Sequence, residues 1–153
     1  MNPITKTAEM PDKRALLSTL WVFAMLNYLY CDVMSLMDSE FLKQYLTGNV
    51  GGVHVTQGFL LGAAVLMEIP TAMVLLSRVL GYNANRWANI IAGSIMTIVQ
   101  FSTLFFGSSP TIYYIFFSIL EIACTALIVW FAWKWANPEG HLENKVTVSA
   151  NVV

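Results

Sequence analysis

Apolar residues gather along the chain into four long blocks separated by short polar breaks. The blocks run from Ala15 to Leu36, Thr56 to Leu80, Trp87 to Phe106 and Thr111 to Trp135. Crossing the hydrocarbon layer of a membrane takes about 20 mostly apolar residues in a helix, because each residue rises about 1.5 Å. Every block meets that length, so the pattern predicts four membrane spans. The rest is a polar N-terminus over 1–14, a loop from Met37 to Val55, tight turns at Gly81 to Asn85 and Gly107 to Pro110, and a polar tail over 136–153. The fold expected is all-α, a transmembrane four-helix bundle over residues 15–135 with antiparallel neighbours side by side.

Inside the first loop, Asp38 or Ser39 is placed to cap a short helix whose apolar side is Phe41, Leu42, Tyr45 and Leu46. Gly48 is expected to end it. Such a helix lies on the membrane surface or, alternatively, acts as a lid. Gly51 and Gly52 then supply a flexible return into the second span.

Composition strengthens the membrane reading. Of 153 residues, 57% are apolar and 11% charged, too little charge to cover a water-soluble domain of this size. A net charge of -1 with no basic cluster gives no electrostatic reason to bind nucleic acid. The basic residues are unevenly placed. With the N-terminus inside, Lys6, Lys13, Arg14, Arg78, Arg86, Lys134 and Lys145 are cytoplasmic and only Lys43 faces out, which predicts that both termini are cytoplasmic. Trp21, Trp87, Trp133 and Trp135 lie near basic residues, as interfacial aromatics do. Lys13 and Arg14 before an apolar run resemble the start of a secretory signal, but the run is too long and no small-residue cleavage site follows.

Ionisable groups inside membrane spans are costly and usually face the protein interior. Three carboxyls qualify: Asp32 in the outer half of the first span, and Glu68 and Glu121 near the midpoints of the second and fourth. Helical spacing places Gln57, Leu61, Ala64, Glu68, Thr71, Leu75 and Arg78 on one stripe of the second span. Trp21, Met25, Tyr28 and Asp32 form a stripe on the first. Asn89, Gly93, Met96 or Thr97, and Gln100 line up on the third, and Tyr114, Phe117, Glu121 and Thr125 on the fourth. If all four stripes point inward, Glu68, Glu121, Asp32, Gln100, Tyr28 and Tyr114 line one cavity that binds a proton or a ligand. With no basic residue at their depth, Glu68 and Glu121 are expected to stay protonated at neutral pH. The plainer alternative is that they make interhelical hydrogen bonds, which contribute about 0.6 kcal/mol each on average in membranes.

Pro70 cannot donate to the carbonyl of Leu66, which predicts a bend or hinge in the second span. Gly58 and Gly62 form a G-x-x-x-G pattern that favours close helix contact, within the chain or in a homo-oligomer. Cys31 and Cys124 read as small core residues, and the angle of Asn27 sets it apart from the Tyr28 and Asp32 stripe. His54 and His141 have no partner at metal-ligand spacing, so no metal site is expected, and no cofactor motif is present.

Five segments carry a family resemblance: Leu17 to Trp21, Asn27 to Asp32, Met67 to Pro70, Asn85 to Asn89, and Glu121 to Cys124 with the aromatic run ending at Trp135. In these the chain resembles a bacterial family of uncharacterised small four-span integral membrane proteins, grouped as a domain of unknown function. The resemblance implies a multi-pass protein of the bacterial cytoplasmic membrane and carries no activity with it. Three function classes follow from the residues themselves. Buried carboxyls, a proline bend and a cavity fit a small proton-linked transporter, or a binder of a small amphiphilic or cationic ligand. Polar residues that only fasten helices fit an accessory or assembly protein. An enzyme is disfavoured, because no nucleophile stands beside a base.

Overall fold

The computed structural model describes residues 12–105 and 110–135, and in that range the chain is helical apart from one small hairpin. Five helices follow one another: α1 (Lys13–Met37), α2 (Ser39–Thr47), α3 (Gln57–Val79), α4 (Tyr82–Thr103) and α5 (Ile112–Trp133). A two-stranded hairpin, β1 (Asn49–Val50) and β2 (Val53–His54), joins α2 to α3. Lys6, Lys145, His141, the outer turn from Gly107 and the tail 136–153 lie outside the described residues.

Three helices, α1, α3 and α5, are long and apolar enough to cross a membrane. The third predicted span, Trp87 to Phe106, is present as α4, which starts earlier and is less apolar than the others. Asn83, Asn85, Asn89 and Gln100 dilute its hydrophobicity. Its early start also removes most of the predicted turn at Gly81 to Asn85. Leu80 ends α3, Gly81 precedes the first residue of α4, and Asn85 is already helical.

The short helix in the first loop forms as its capping residues dictate. The Asp38 side chain accepts from the Glu40 backbone N–H at 3.0 Å, and Gly48 closes the helix at φ 68. No residue of α2 is buried. Beyond it, Gly51 and Gly52 are not a flexible return. They sit at φ 56 and 84, the left-handed pair that a two-residue hairpin turn needs, with Val50 paired to Val53 and Asn49 to His54. Gln44 of α2 accepts the Gly51 N–H at 2.8 Å and ties the turn to the helix.

Packing is pairwise and uneven. Helix α5 packs extensively on α4 and α1, α1 packs equally well on α3, and α3 meets α4 only lightly. Leu17, Trp21, Ala24 and Tyr28 of α1, Met73 of α3, Ala92 and Met96 of α4, and Cys124 and Ile128 of α5 make the apolar core. Cys31 and Cys124 are both buried and free. Outside the core, large apolar side chains such as Leu29, Phe59 and Ile119 are half or more exposed, a surface suited to lipid rather than water.

Within the chain, the close approach that Gly58 and Gly62 would permit occurs instead at another glycine. A Cβ added at Gly62 would meet nothing within 4 Å, whereas one added at Gly93 would lie 2.8 Å from a methyl of Val129 and 3.4 Å from the Thr125 carbonyl. Gly93 is therefore what lets α4 and α5 touch. Replacing Gly93 by valine is expected to cost about 1–3 kcal/mol through overpacking, read as a lowered midpoint of thermal unfolding in detergent. A midpoint unchanged from the wild type would show that the contact is not tight.

Candidate functional site

Two polar clusters lie inside the helices, and they differ in how completely their hydrogen bonds are made. The first joins α1, α3 and α4. Trp21 donates its ring N–H to Asn89 Oδ1 at 2.8 Å, Ser77 donates to the same oxygen at 3.2 Å, and Asn89 Nδ2 donates to Asn85 Oδ1 at 2.6 Å. Asn85 Nδ2 in turn donates to the Ser77 carbonyl at 2.6 Å, and all four residues are 0% exposed. Ser18 adds a bond to the Val74 carbonyl at 2.8 Å. Every donor in this set points at an acceptor, so the cluster stitches helices together and has nothing left to offer a ligand. Trp21, counted both with the interfacial aromatics and on the inward stripe of the first span, is buried as the stripe predicts. The Asn89 acceptor draws it into the core, while Trp87 and Trp133 remain exposed.

The second cluster, between α5 and α1, is incomplete. Glu121 is 1% exposed, and its Oε1 has no hydrogen-bond partner. Tyr28 on α1 is also buried with an unpartnered hydroxyl. Tyr28 shares the apolar core with Cys124, one turn from Glu121. Cys124 bonds the Leu20 carbonyl of α1 at 3.3 Å, which fixes how the two helices sit against each other. Asp32 is exposed at the rim of this cluster. It acts electrostatically on Tyr45 of α2, whose hydroxyl is pushed above its ordinary range, first by partial burial and then by that charge.

Further along α5 the polar groups are paired again. Gln100 donates to Ser118 at 2.9 Å, and Tyr114 donates to Thr103 at 2.6 Å, so both knit α4 to α5. Thr97 donates to Thr125 at 2.8 Å, with Thr125 donating back to the Glu121 carbonyl at 2.9 Å. Asn27, the odd residue of the first span, is buried and bonds Phe23 of its own helix.

Glu68 is not part of either cluster. The stripe drawn through Gln57, Leu61, Ala64, Glu68, Thr71, Leu75 and Arg78 is the exposed face of α3, with Thr71 alone half-buried. The buried side is Pro70, Met73 and Ser77, with Leu66, Ile69 and Val74 partly buried beside them. The hydrogen bonds of Ser77 to Asn89 and of Ser18 to Val74 set this rotation. Pro70 is buried, and α3 continues through it to Val79. The expected inward convergence of three carboxyls therefore reduces to one buried carboxyl, Glu121, with Asp32 at its edge.

A family model matches residues 5–141, nearly the whole chain, and its description is a family of unknown function, DUF6326. The chain belongs to this family. No curated protein and no solved structure matches it. Membership of DUF6326 brings no activity to the site, so what Glu121 does must be argued from its surroundings.

Proposed function

We propose that this DUF6326 protein is a four-helix membrane bundle with both termini cytoplasmic, and that Glu121 is a proton-exchange site through which it binds or transports a small cationic or amphiphilic ligand. The observation that supports the site is the contrast between the two clusters. A carboxyl kept only for structure would have its oxygens engaged, as the amides of Asn85 and Asn89 do, yet Oε1 of Glu121 is buried and unpartnered. A buried group of that kind costs about 1–3 kcal/mol unless something binds it. Polar groups left open inside otherwise satisfied proteins concentrate at functional sites.

The chemistry needs two states. Protonated, Glu121 is neutral and tolerates its apolar surroundings. When the proton leaves, the carboxylate attracts a positive group, and the unpartnered Tyr28 hydroxyl of α1 is free to donate a hydrogen bond to a bound ligand. Proton and cation thus compete for one site, the condition for exchange. Asp32 at the rim would draw a cation toward it, and Pro70, with its missing backbone bond, is where α3 would yield during a cycle. The orientation is supported by charge placement. Lys13, Arg14, Arg78, Arg86 and Lys134 all fall at the end shared by the start of α1 and α4 and the end of α3 and α5, while Lys43 lies at the other.

Labelling with a hydrophobic carbodiimide tests the site directly, since the reagent attacks accessible protonated carboxyls in apolar surroundings. In lipid vesicles, Glu121 is expected to be modified, found by mass spectrometry, with labelling that falls as pH rises and the carboxyl ionises. A lipophilic cation added beforehand is expected to protect it. Absence of labelling at every pH in a folded protein would sink the proposal.

A further inference from the structure

Helix α3 carries a carboxyl where a membrane helix can least accommodate one. Glu68 is eleven residues from Gln57 and eleven from Val79, the midpoint of the helix, and it is exposed. Among the described residues it has no hydrogen-bond or ion-pair partner, and the nearest basic group of its own helix is Arg78, about 15 Å further along. Lipid chains offer no donor or acceptor at that depth.

The surroundings of Glu68 have the spacing of a helix-pairing seam. Leu61, Val65, Glu68, Ala72, Leu75 and Val79 follow one another at steps of four, three, four, three and four, the rhythm with which two helices interlock. Leu61, Val65, Leu75 and Val79 are 62–78% exposed, among the least covered large side chains of the molecule. Of the three membrane-length apolar helices α3 is covered least: 11% of its membrane-length window is buried, against 33% in α1 and α5. Beside the seam, Gly62 leaves open ground for a neighbouring backbone.

We propose that this seam pairs with α3 of a second copy of the chain, with Glu68 hydrogen-bonded to Glu68 of the partner subunit. Copies inserted in the same orientation can pair only about an axis along the membrane normal, so each residue meets its counterpart at its own depth. Glu68 at the midpoint therefore meets a second carboxyl. Two neutral carboxylic acids satisfy each other, because each supplies one O–H donor and one C=O acceptor. A second copy thus completes the hydrogen bonding of Glu68 without any other molecule. A single polar residue in an otherwise apolar seam also fixes register.

The test uses the full chain in phosphatidylcholine vesicles. In a Cys31→Ser, Cys124→Ser background, single cysteines at Leu61, Val65, Ala72 and Leu75 are expected to form oxidative dimers, and cysteines at Leu60 and Met67 on the flanks are not. Counting labelled copies of the chain with its native cysteines by single-molecule photobleaching, which does not depend on that background, is expected to show dimers. Glu68→Gln, whose amide also pairs with itself, should keep them, and Glu68→Leu should raise the dissociation constant roughly tenfold, the loss of two intramembrane hydrogen bonds. Monomers at every protein-to-lipid ratio, equal cross-linking on the flanks, or a Glu68→Leu chain that pairs as tightly as Glu68→Gln would each overturn the proposal. The first of these would point to a different protein as the partner of α3.

Discussion

Replacing Asn89 by leucine is expected to lower the stability of the folded protein by about 2–4 kcal/mol, the largest loss for any single polar side chain here. Three groups lose their partner at once. The Trp21 ring N–H and the Ser77 hydroxyl are left without an acceptor, and Asn85 Oδ1 without its donor, all in residues with no exposure. Single hydrogen bonds in membranes average about 0.6 kcal/mol, so three of them reach only about 2 kcal/mol. Burial with no water to take over raises that figure, because an orphaned buried polar group costs about 1–3 kcal/mol. Unfolding in mixed micelles titrated with a denaturing detergent, followed by tryptophan fluorescence, would read the change. A loss below about 0.5 kcal/mol, the scale of an ordinary surface substitution, would mean the cluster is not a structural stitch.

Glu121→Leu is expected to do the opposite, stabilising the fold by about 1–2 kcal/mol while abolishing carbodiimide labelling and ligand protection. Leucine fills a similar volume between α1 and α5 and removes a buried oxygen that no group satisfies. Glu121→Gln keeps that oxygen and is expected to leave stability nearly unchanged while it also stops labelling. The sign of the leucine effect separates the two readings of this carboxyl. A structural hydrogen bond predicts destabilisation, and a site maintained for exchange predicts a gain in stability at the expense of activity. Leucine destabilising the fold as much as Asn89→Leu does would rule out the exchange site.

Much of this arrangement was legible in the residues. On α4, the line Asn89, Gly93, Met96 and Gln100 is buried as its spacing predicts, because polar and small residues on one side contrast with Ile91, Ile95 and Ile98 on the other. On α5, Glu121 and Thr125 are buried for the same reason. The caps of α2 follow from the stereochemistry of Asp38 and Gly48. Helix α3 was not legible, because Leu, Val and Met surround it on every side and its periodicity does not fix a rotation. Taking the mid-helix carboxyl, Glu68, as the inward marker put the wrong face inside. What orients α3 is a pair of serine hydrogen bonds with other helices, Ser77 to Asn89 and Ser18 to Val74, and neither can be inferred from spacing. The hairpin escaped notice because only Val50 and Val53 flank its two glycines, too short a run to show alternation.

The last helix also bears on how the molecule is made. The bonds among Trp21, Ser77, Asn85 and Asn89 use only α1, α3 and α4, all of which precede α5 in the chain. The hydrogen bonds of these three helices can thus be completed without α5. When α5 arrives, it docks against α4 and α1, and Tyr82 and Arg86 at the start of α4 clasp the carbonyls of Trp135 and Trp133 at its end. The buried carboxyl of Glu121, with its unpartnered oxygen, is therefore delivered last, into a scaffold already set. Until that moment, the face of α1 that holds Tyr28 stays open to whatever escorts the nascent chain.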